Sequence, residues 1–311
     1  MKNFTSVEDA CEIEPLLQDA MQLKASPFNP EIGKSKTLGL VFMNPSLRTR
    51  MSTQRAAFNL GMNVMVMNLG QDSWSIEMND GSVMDGESQE HIRDAVQVMS
   101  QYCDIMGIRS FAKLQNANDD YSEHILNAFI EHSDVPVISL ESATRHPLQS
   151  LADLITIKEF NISQPKVAVT WAPHPKKLPQ AVTNSFLEWI KLTDARVVLC
   201  HPKGYELKSE FTNGIQVTHE QQNGLADADF VYTKNWSSYS SYGETPGAHE
   251  DWIITEEKMG LTNNGKFMHC LPIRRNVVAT DAVINRSIVY QQAKNREVGA
   301  QVIMKRILES L

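Results

Sequence analysis

The stretch LGLVFMNPSLRTRMSTQRAAFNLG, residues 38–61, decides how the chain folds. Residues 38–43 are apolar and long enough for one buried strand. Asn44, Pro45 and Ser46 are turn and cap residues, and residues 51–60 permit a helix that Gly61 ends. The stretch therefore predicts strand, tight turn and helix start. A helix start offers unpaired backbone N–H groups and the positive end of the macrodipole. With Ser46, Thr49 and the guanidinium groups of Arg48 and Arg50 beside it, this start suits a dense anion, most simply a phosphate. An ordinary capped surface helix with two solvated arginines carries the same residue types.

Working outward, residues 64–67 supply a second strand, so the unit is β-α-β and favours a parallel sheet. A helix over 7–23 precedes it. Residues 70–87 are polar and irregular, with Trp74 between Ser73 and Ser75. A loop this long is functional or disordered, and an aromatic at its tip wants a surface to cover. Apolar spacing then predicts a helix over 88–102 capped by Ser88, and a helix over 121–132. Strands over 104–108 and 135–140 end at Arg109 and Glu141, the strand ends where open α/β sheets bind ligands. His146-Pro147-Leu148-Gln149 opens a helix to about residue 160, long enough to join two domains. Beyond Pro165 the alternation restarts, with strands over 166–171, 196–200, 229–233 and 266–271. Helices over 178–191 and near 220–226 lie among them. An amphipathic segment over 290–311 has the character of a terminal helix that packs back on the first domain. The expected class is α/β, with two domains, 1–145 and 146–311, each built on a central parallel sheet flanked by helices.

A chain of 311 residues is too long for one typical core, and 42% hydrophobic with 21% charged residues describes a globular protein. A net charge of −8 argues against nucleic-acid or anionic-membrane partners, yet leaves room for a local basic pocket. Cys11, Cys103, Cys200 and Cys270 form no C-x-x-C pair and the nine histidines show no ligand spacing, so no metal is expected. Gly-x-Gly-x-x-Gly is absent, so a nucleotide-dependent oxidoreductase lacks its fingerprint and no cofactor is expected. No signal-like segment or run of transmembrane length is seen, which points to a reducing, cytoplasmic setting.

Arg48, Arg50, Arg109 and His146 come from separate elements but share one predicted edge, and Arg296 opens the last helix. Such a set suits a small substrate with a phosphate at one end and a carbonyl at the other. An imidazole at a helix start favours its neutral form, which donates one hydrogen bond to a carbonyl.

Three motifs together, Ser46-Leu47-Arg48-Thr49-Arg50, His146-Pro147-Leu148-Gln149 and His269-Cys270-Leu271-Pro272, resemble the signatures of the transcarbamylases, in the ornithine branch. They stand in family order along the whole chain. The resemblance implies a first domain for carbamoyl phosphate, a second for the amine, and a homotrimer with shared active sites. It implies that Ser46, Leu47, Arg48, Thr49 and Arg296 hold the phosphate, and that Arg109, His146 and Gln149 hold and polarise the carbamoyl group. Cys270 and Leu271 contact the carbamoyl nitrogen, and Trp74 reaches the neighbour's site. No enzyme group need become covalent, because the leaving phosphate can accept the amine's proton.

One departure bears on the amine. Ordinary ornithine transcarbamylases carry an aspartate after a Tyr-Thr-like pair, which pairs the free α-ammonium; here the order is Tyr232-Thr233-Lys234. A lysine repels that ammonium by roughly 1–4 kcal/mol at close range. The pattern resembles the N-acylornithine branch, whose members make acyl-citrulline in arginine biosynthesis. It implies that Glu141, His174, Lys234 and Arg274 line the acylornithine site. Val278, where N-acetyl enzymes carry a lysine, points to the N-succinyl lineage. Glu90, read as the start of a helix beside the Trp74 loop, points to the N-acetyl side, because a carboxylate there repels a succinyl carboxylate. An ordinary ornithine or aspartate transcarbamylase, or a non-catalytic small-molecule-binding member, are the alternatives.

Overall fold

Apolar runs buried on both faces build two all-parallel sheets, in a computed structural model that describes residues 1–311. The chain divides into two compact units. The first comprises Met1–Ala112, Asn118–Leu148 and Arg296–Leu311, the second Lys113–Ala117 and Gln149–Asn295. The division at Leu148/Gln149 differs from the expected 145/146, and Lys113–Ala117 joins the second unit. Pro147 opens the helix Pro147–Lys158, whose first two residues, Pro147 and Leu148, stay with the first unit. Arg296–Leu311 belongs to the first unit, in keeping with a terminal helix that packs back there.

In the first unit, strands β1 (Thr37–Phe42), β2 (Asn63–Asn68), β5 (Ile105–Arg109) and β6 (Val137–Glu141) run in the order β2-β1-β5-β6. Two short strands, β3 (Ile76–Glu77) and β4 (Glu90–His91), form a parallel pair of their own. Strands β5 and β6 are buried throughout, while β2 at the sheet edge alternates exposed and half-buried residues. Val41, Met106, Ile108 and Val137 from the sheet pack on Ile92, Val96 and Phe129 from two helices. Because β1 leads to β2 on one side and β5 lies on the other, chain direction switches between β1 and β5. In an open parallel sheet, ligands bind at the carboxyl ends of strands at such a switch.

The second unit repeats the scheme with β7 (Lys166–Trp171), β8 (Arg196–Cys200), β9 (Gln216–Thr218), β10 (Phe230–Lys234) and β11 (Lys266–Met268), in the order β11-β10-β7-β8-β9. Its switch lies between β7 and β10. Ala168, Val231 and Phe267 from the sheet pack on Leu225, Ile254 and Ile284.

Several expected elements shift. The helix expected over 7–23 is a single 3-10 turn, Glu8–Ala10, and then Ile13–Ala25, divided at Cys11 with φ 61°. The helix expected over 121–132 breaks at Glu123, φ 52°, and resumes as His124–His132. The helix expected from Ser88 runs Ile92–Ser100, and His91 caps it by accepting from the Arg93 amide. The strand expected over 266–271 stops at Met268, leaving Cys270 and Leu271 in a loop with a cis Leu271–Pro272 bond. The last helix is Val289–Leu308, so Arg296 lies two turns inside it and does not open it. Gly61, φ +80°, ends the helix Arg48–Asn59; a Cβ there would meet the Pro30 carbonyl oxygen at 1.9 Å.

Candidate active site

At the switch of the first unit, the chain leaves β1 through Asn44–Leu47 and enters the helix Arg48–Asn59. The Ser46 hydroxyl accepts from the Thr49 amide at 3.2 Å, satisfying one orphan donor of the first turn. Arg109, the last residue of β5, is 7% exposed and bridges the switch. One terminal nitrogen donates to the carbonyls of Asn44, at 3.0 Å, and Pro45; the other donates to Glu141 Oε2 at 3.0 Å. Its guanidinium carbon stands 4.1 Å from the centre of the Phe111 ring. Arg296 reaches from the last helix and donates to Thr49 Oγ1 at 2.6 Å.

His146, buried directly before Pro147, lies 3.6 Å from Glu141 through Nε2. Burial first, and then the charges of Arg296, Arg109 and Arg48, hold this imidazole well below its ordinary value of 6.5. It is neutral near pH 7, a donor and acceptor rather than a cation. Ser46, Arg48, Thr49, Arg109, Glu141, His146 and Arg296 thus form one cluster. Fixed donors, three positive charges and a neutral imidazole suit a phosphate joined to a carbonyl.

At the switch of the second unit, Lys234 ends β10 and His174 follows β7. Lys234 is 8% exposed, so its charge is not a solvated one; Nζ donates to the Asn235 carbonyl at 3.0 Å. Arg274 Nε donates to His174 Nε2 at 3.2 Å, which makes Nε2 an acceptor. The other ring nitrogen, Nδ1, lies 3.0 Å from the Lys176 carbonyl and can donate to it. Burial lowers the His174 pKa, the Lys176 carbonyl opposes this, and Lys234 and Arg274 lower it further. This switch therefore presents cations and a neutral ring, suited to a carboxylate and hostile to an ammonium.

With these two sites in view, residues 2–159 match the aspartate/ornithine carbamoyltransferase carbamoyl-P binding domain, and residues 179–307 match the Asp/Orn binding domain of that family. The chain is 49% identical to an N-succinylornithine carbamoyltransferase of Bacteroides fragilis, over 100% of both chains. The chain belongs to the aspartate/ornithine carbamoyltransferase family. It is 37% identical to an N-acetylornithine carbamoyltransferase of Xanthomonas campestris, over 95% of this chain and 94% of the other. A crystal structure of acetylornithine transcarbamylase complexed with acetylcitrulline superposes with a TM-score of 0.93 at 36% identity, covering 99% of each chain.

Three side chains of this carbamoyltransferase have partners that the motifs do not announce. Arg50 leaves the phosphate cluster: its guanidinium bonds Asn68 and lies 4.9 Å from the centre of the Phe42 ring. It lines a cleft of about 460 Å³ with Ser46, Leu47, Asn68 and Gln71. Glu141, expected among the residues of the amine site, pairs with Arg109 in the first unit. Glu90 lies in β4 ahead of its helix, so the macrodipole does not explain it; its carboxylate accepts from the exposed Trp74 indole at 2.8 Å. Leu47 is exposed, Cys270 is buried beyond the end of β11, and Val278 is buried.

Sequence reasoning missed Glu123, whose carboxylate accepts from the Ser142 hydroxyl at 2.6 Å and the Thr144 amide at 2.8 Å. It thereby braces the turn before His146. No local pattern marks that partnership. It also missed Asp153, although the spacing Gln149-x-x-x-Asp153 puts the two on one helix face. Gln149 Nε2 donates to Asp153 Oδ1 at 2.7 Å.

Proposed function

We propose that this chain transfers the carbamoyl group of carbamoyl phosphate to the side-chain amine of an N2-acylated L-ornithine, giving N-acyl-L-citrulline and phosphate. In this reading the first unit binds carbamoyl phosphate. Arg48, Arg296, Ser46, Thr49 and the Leu47 backbone take the phosphate, while Arg109 and neutral His146 donate to the carbonyl oxygen. Gln149, with the backbone carbonyls of Cys270 and Leu271, receives the carbamoyl nitrogen. Attack by the neutral amine builds negative charge on the carbonyl oxygen, and each fixed donor lowers that barrier by about 3–4 kcal/mol. The departing phosphate carries away the proton.

The observation that carries the choice of amine is Lys234, buried at the end of β10 within electrostatic reach of His174. The Lys234 ammonium repels a free α-ammonium, whereas an acylated ornithine presents its carboxylate. The test is an amine panel with carbamoyl phosphate: ornithine, N-acetylornithine, N-succinylornithine and aspartate. Turnover confined to the acylated pair supports the reading, and ornithine as best acceptor overturns it.

Which acyl group is used turns on Glu90. We infer a scaffold of the N-succinyl lineage, supported by the 49% identity, in which the Glu90 carboxylate shifts preference toward acetyl. Trp74 holds that carboxylate in place, and Glu90→Pro should move the preference toward succinyl; an unchanged ratio refutes the idea. The assembly proposed is a homotrimer in which Trp74 serves a neighbouring site. Exposed Leu47 and Met51, one helical turn apart, and exposed Met65 and Met67 on β2 support it by leaving apolar area to cover. Sedimentation at three times 35.0 kDa is the expected result. All four cysteines are free thiols and no helix is long and apolar enough to cross a membrane; the thiols support action in a reducing compartment.

A further inference from the structure

Asp153 is an acid with no exposed surface, on the helix that His146-Pro147-Leu148-Gln149 opens. One of its oxygens, Oδ1, accepts two amide donors: Gln149 Nε2 at 2.7 Å and Gln292 Nε2 at 2.7 Å. The other end of the Gln292 amide, Oε1, accepts from the His269 backbone N–H at 2.9 Å. His269 Nδ1 in turn accepts from the Leu271 backbone N–H at 2.8 Å. The chain of bonds therefore runs from Gln149 through Asp153 and Gln292 to the loop 269–271, entirely within the second unit.

A carboxylate only accepts, so an amide facing it must present its NH2. The Gln149 amide is thereby oriented with nitrogen toward Asp153 and Oε1 at the opposite terminus. Gln292 is oriented in the same way, and its Oε1 sets the backbone of His269. A carbamoyl group carries two N–H donors and needs two acceptors. Both groups assigned to it, Gln149 Oε1 and the Cys270–Leu271 carbonyls, hang on this one carboxylate oxygen. A side chain that offered a donor at that point would invite either glutamine to turn over, and buried networks of this kind lose more than one bond when one member reverses.

We propose that Asp153 is a positioning residue for carbamoyl transfer: it fixes the Gln149 amide oxygen and, through Gln292, the 269–271 backbone as a paired acceptor for the carbamoyl nitrogen. The proposal rests on the reading that Gln149 receives that nitrogen, and it adds the residue that makes Gln149 an acceptor.

The test measures the KM for carbamoyl phosphate and the inhibition constant of inorganic phosphate in the full chain. Gln149→Ala, Asp153→Ala, Asp153→Asn and the double alanine variant are compared. Inorganic phosphate reads the arginine cradle alone, so a variant that damages the fold moves both constants. Expected for Asp153→Ala is a KM raised by about tenfold, with phosphate inhibition unchanged. Asp153→Asn, which keeps the shape, should give a rise of about threefold with the same split. The double variant should fall well short of the product of the single effects, because Asp153 acts partly through Gln149. A full product, or phosphate inhibition that moves with KM, overturns the proposal. So does wild-type behaviour of both Asp153 variants while Gln149→Ala is impaired. If Gln149→Ala itself leaves KM unchanged, the role given to Gln149 fails first and the proposal fails with it. Should Asp153→Ala not fold, Asp153→Asn alone decides by the same split.

Discussion

The two switch points share a topology and differ in how tightly their charges are tied. In the first unit, Arg109 is anchored by two carbonyls and Glu141, Arg296 is bonded to Thr49, and His146 is buried among them. In the second, Lys234 is buried, but its companion Arg274 is exposed and meets His174 through a single hydrogen bond. A cradle whose donors are already bonded loses little freedom when an anion arrives. That rigidity fits a donor, carbamoyl phosphate, which in the proposed reaction never varies. In the proposed reaction the looser cluster takes the acceptor, the substrate in which the named relatives differ, and Lys234 there can act on that choice without touching the first cluster.

The hardest way to break this contrast is to cut the anchored side. Arg109→Met should lower kcat/KM by about a hundredfold to a thousandfold, as removal of a donor to a developing oxyanion does. It also removes the buried ion pair that Arg109 makes with Glu141, so thermal unfolding should show a lower midpoint. A loss of activity under tenfold in steady-state kinetics would place Arg109 outside the reacting group. Next, Lys234→Asp should shift the ratio of ornithine to acylornithine turnover by about tenfold or more, with the KM for carbamoyl phosphate held. An unchanged ratio in the amine panel would detach Lys234 from the choice of acceptor.

Acid sharpens the contrast. His146 and His174 both have depressed pKa values, so the unfolded chain binds their protons first as pH falls below 6.5. Their contribution to stability is therefore complete above that pH and is lost on the way down through the folded values. Protonated His174 also loses the lone pair that accepts from Arg274. The KM for the acylornithine should rise on the acid side of pH 6.5, ahead of the KM for carbamoyl phosphate, because His146 is the more buried ring. Steady-state profiles for both substrates check the order. The smallest effect is expected at Ser46→Ala, which removes the first-turn cap. A cost of about 1 kcal/mol in thermal unfolding and a modest rise in carbamoyl phosphate KM are expected.

Much of the scaffold was readable in advance because its signals are local. Six apolar residues before Asn44-Pro45-Ser46 make a buried strand and a turn wherever they occur, and Pro147 opens a helix for the same conformational reason. Elements failed where a single residue took a left-handed backbone, as at Cys11 and Glu123, which no composition rule anticipates. Ser88 does not cap this helix and His91 does, because the pairing of β3 with β4 holds Glu90 extended. The site residues were legible one motif at a time. Their grouping was not, since Arg50 turned to Phe42 and Asn68, and Glu141 turned to Arg109.

Against the family that its motifs resemble, the sequence shows a reversal of charge at Lys234; by itself, it determined the class of fold and a strand–turn–helix unit carrying serine, threonine and arginine at the helix start. These depend on backbone preferences and on residue identity at fixed spacing. The tertiary structure decided which charges meet. Arg296 reaches Thr49 across 247 residues of chain, and His146 is held neutral by burial first and then by the charges of three arginines. Asp153 holds two glutamines that lie far apart in sequence. Electrostatic and hydrogen-bonding roles of this kind belong to distances in space, which residue order alone does not specify.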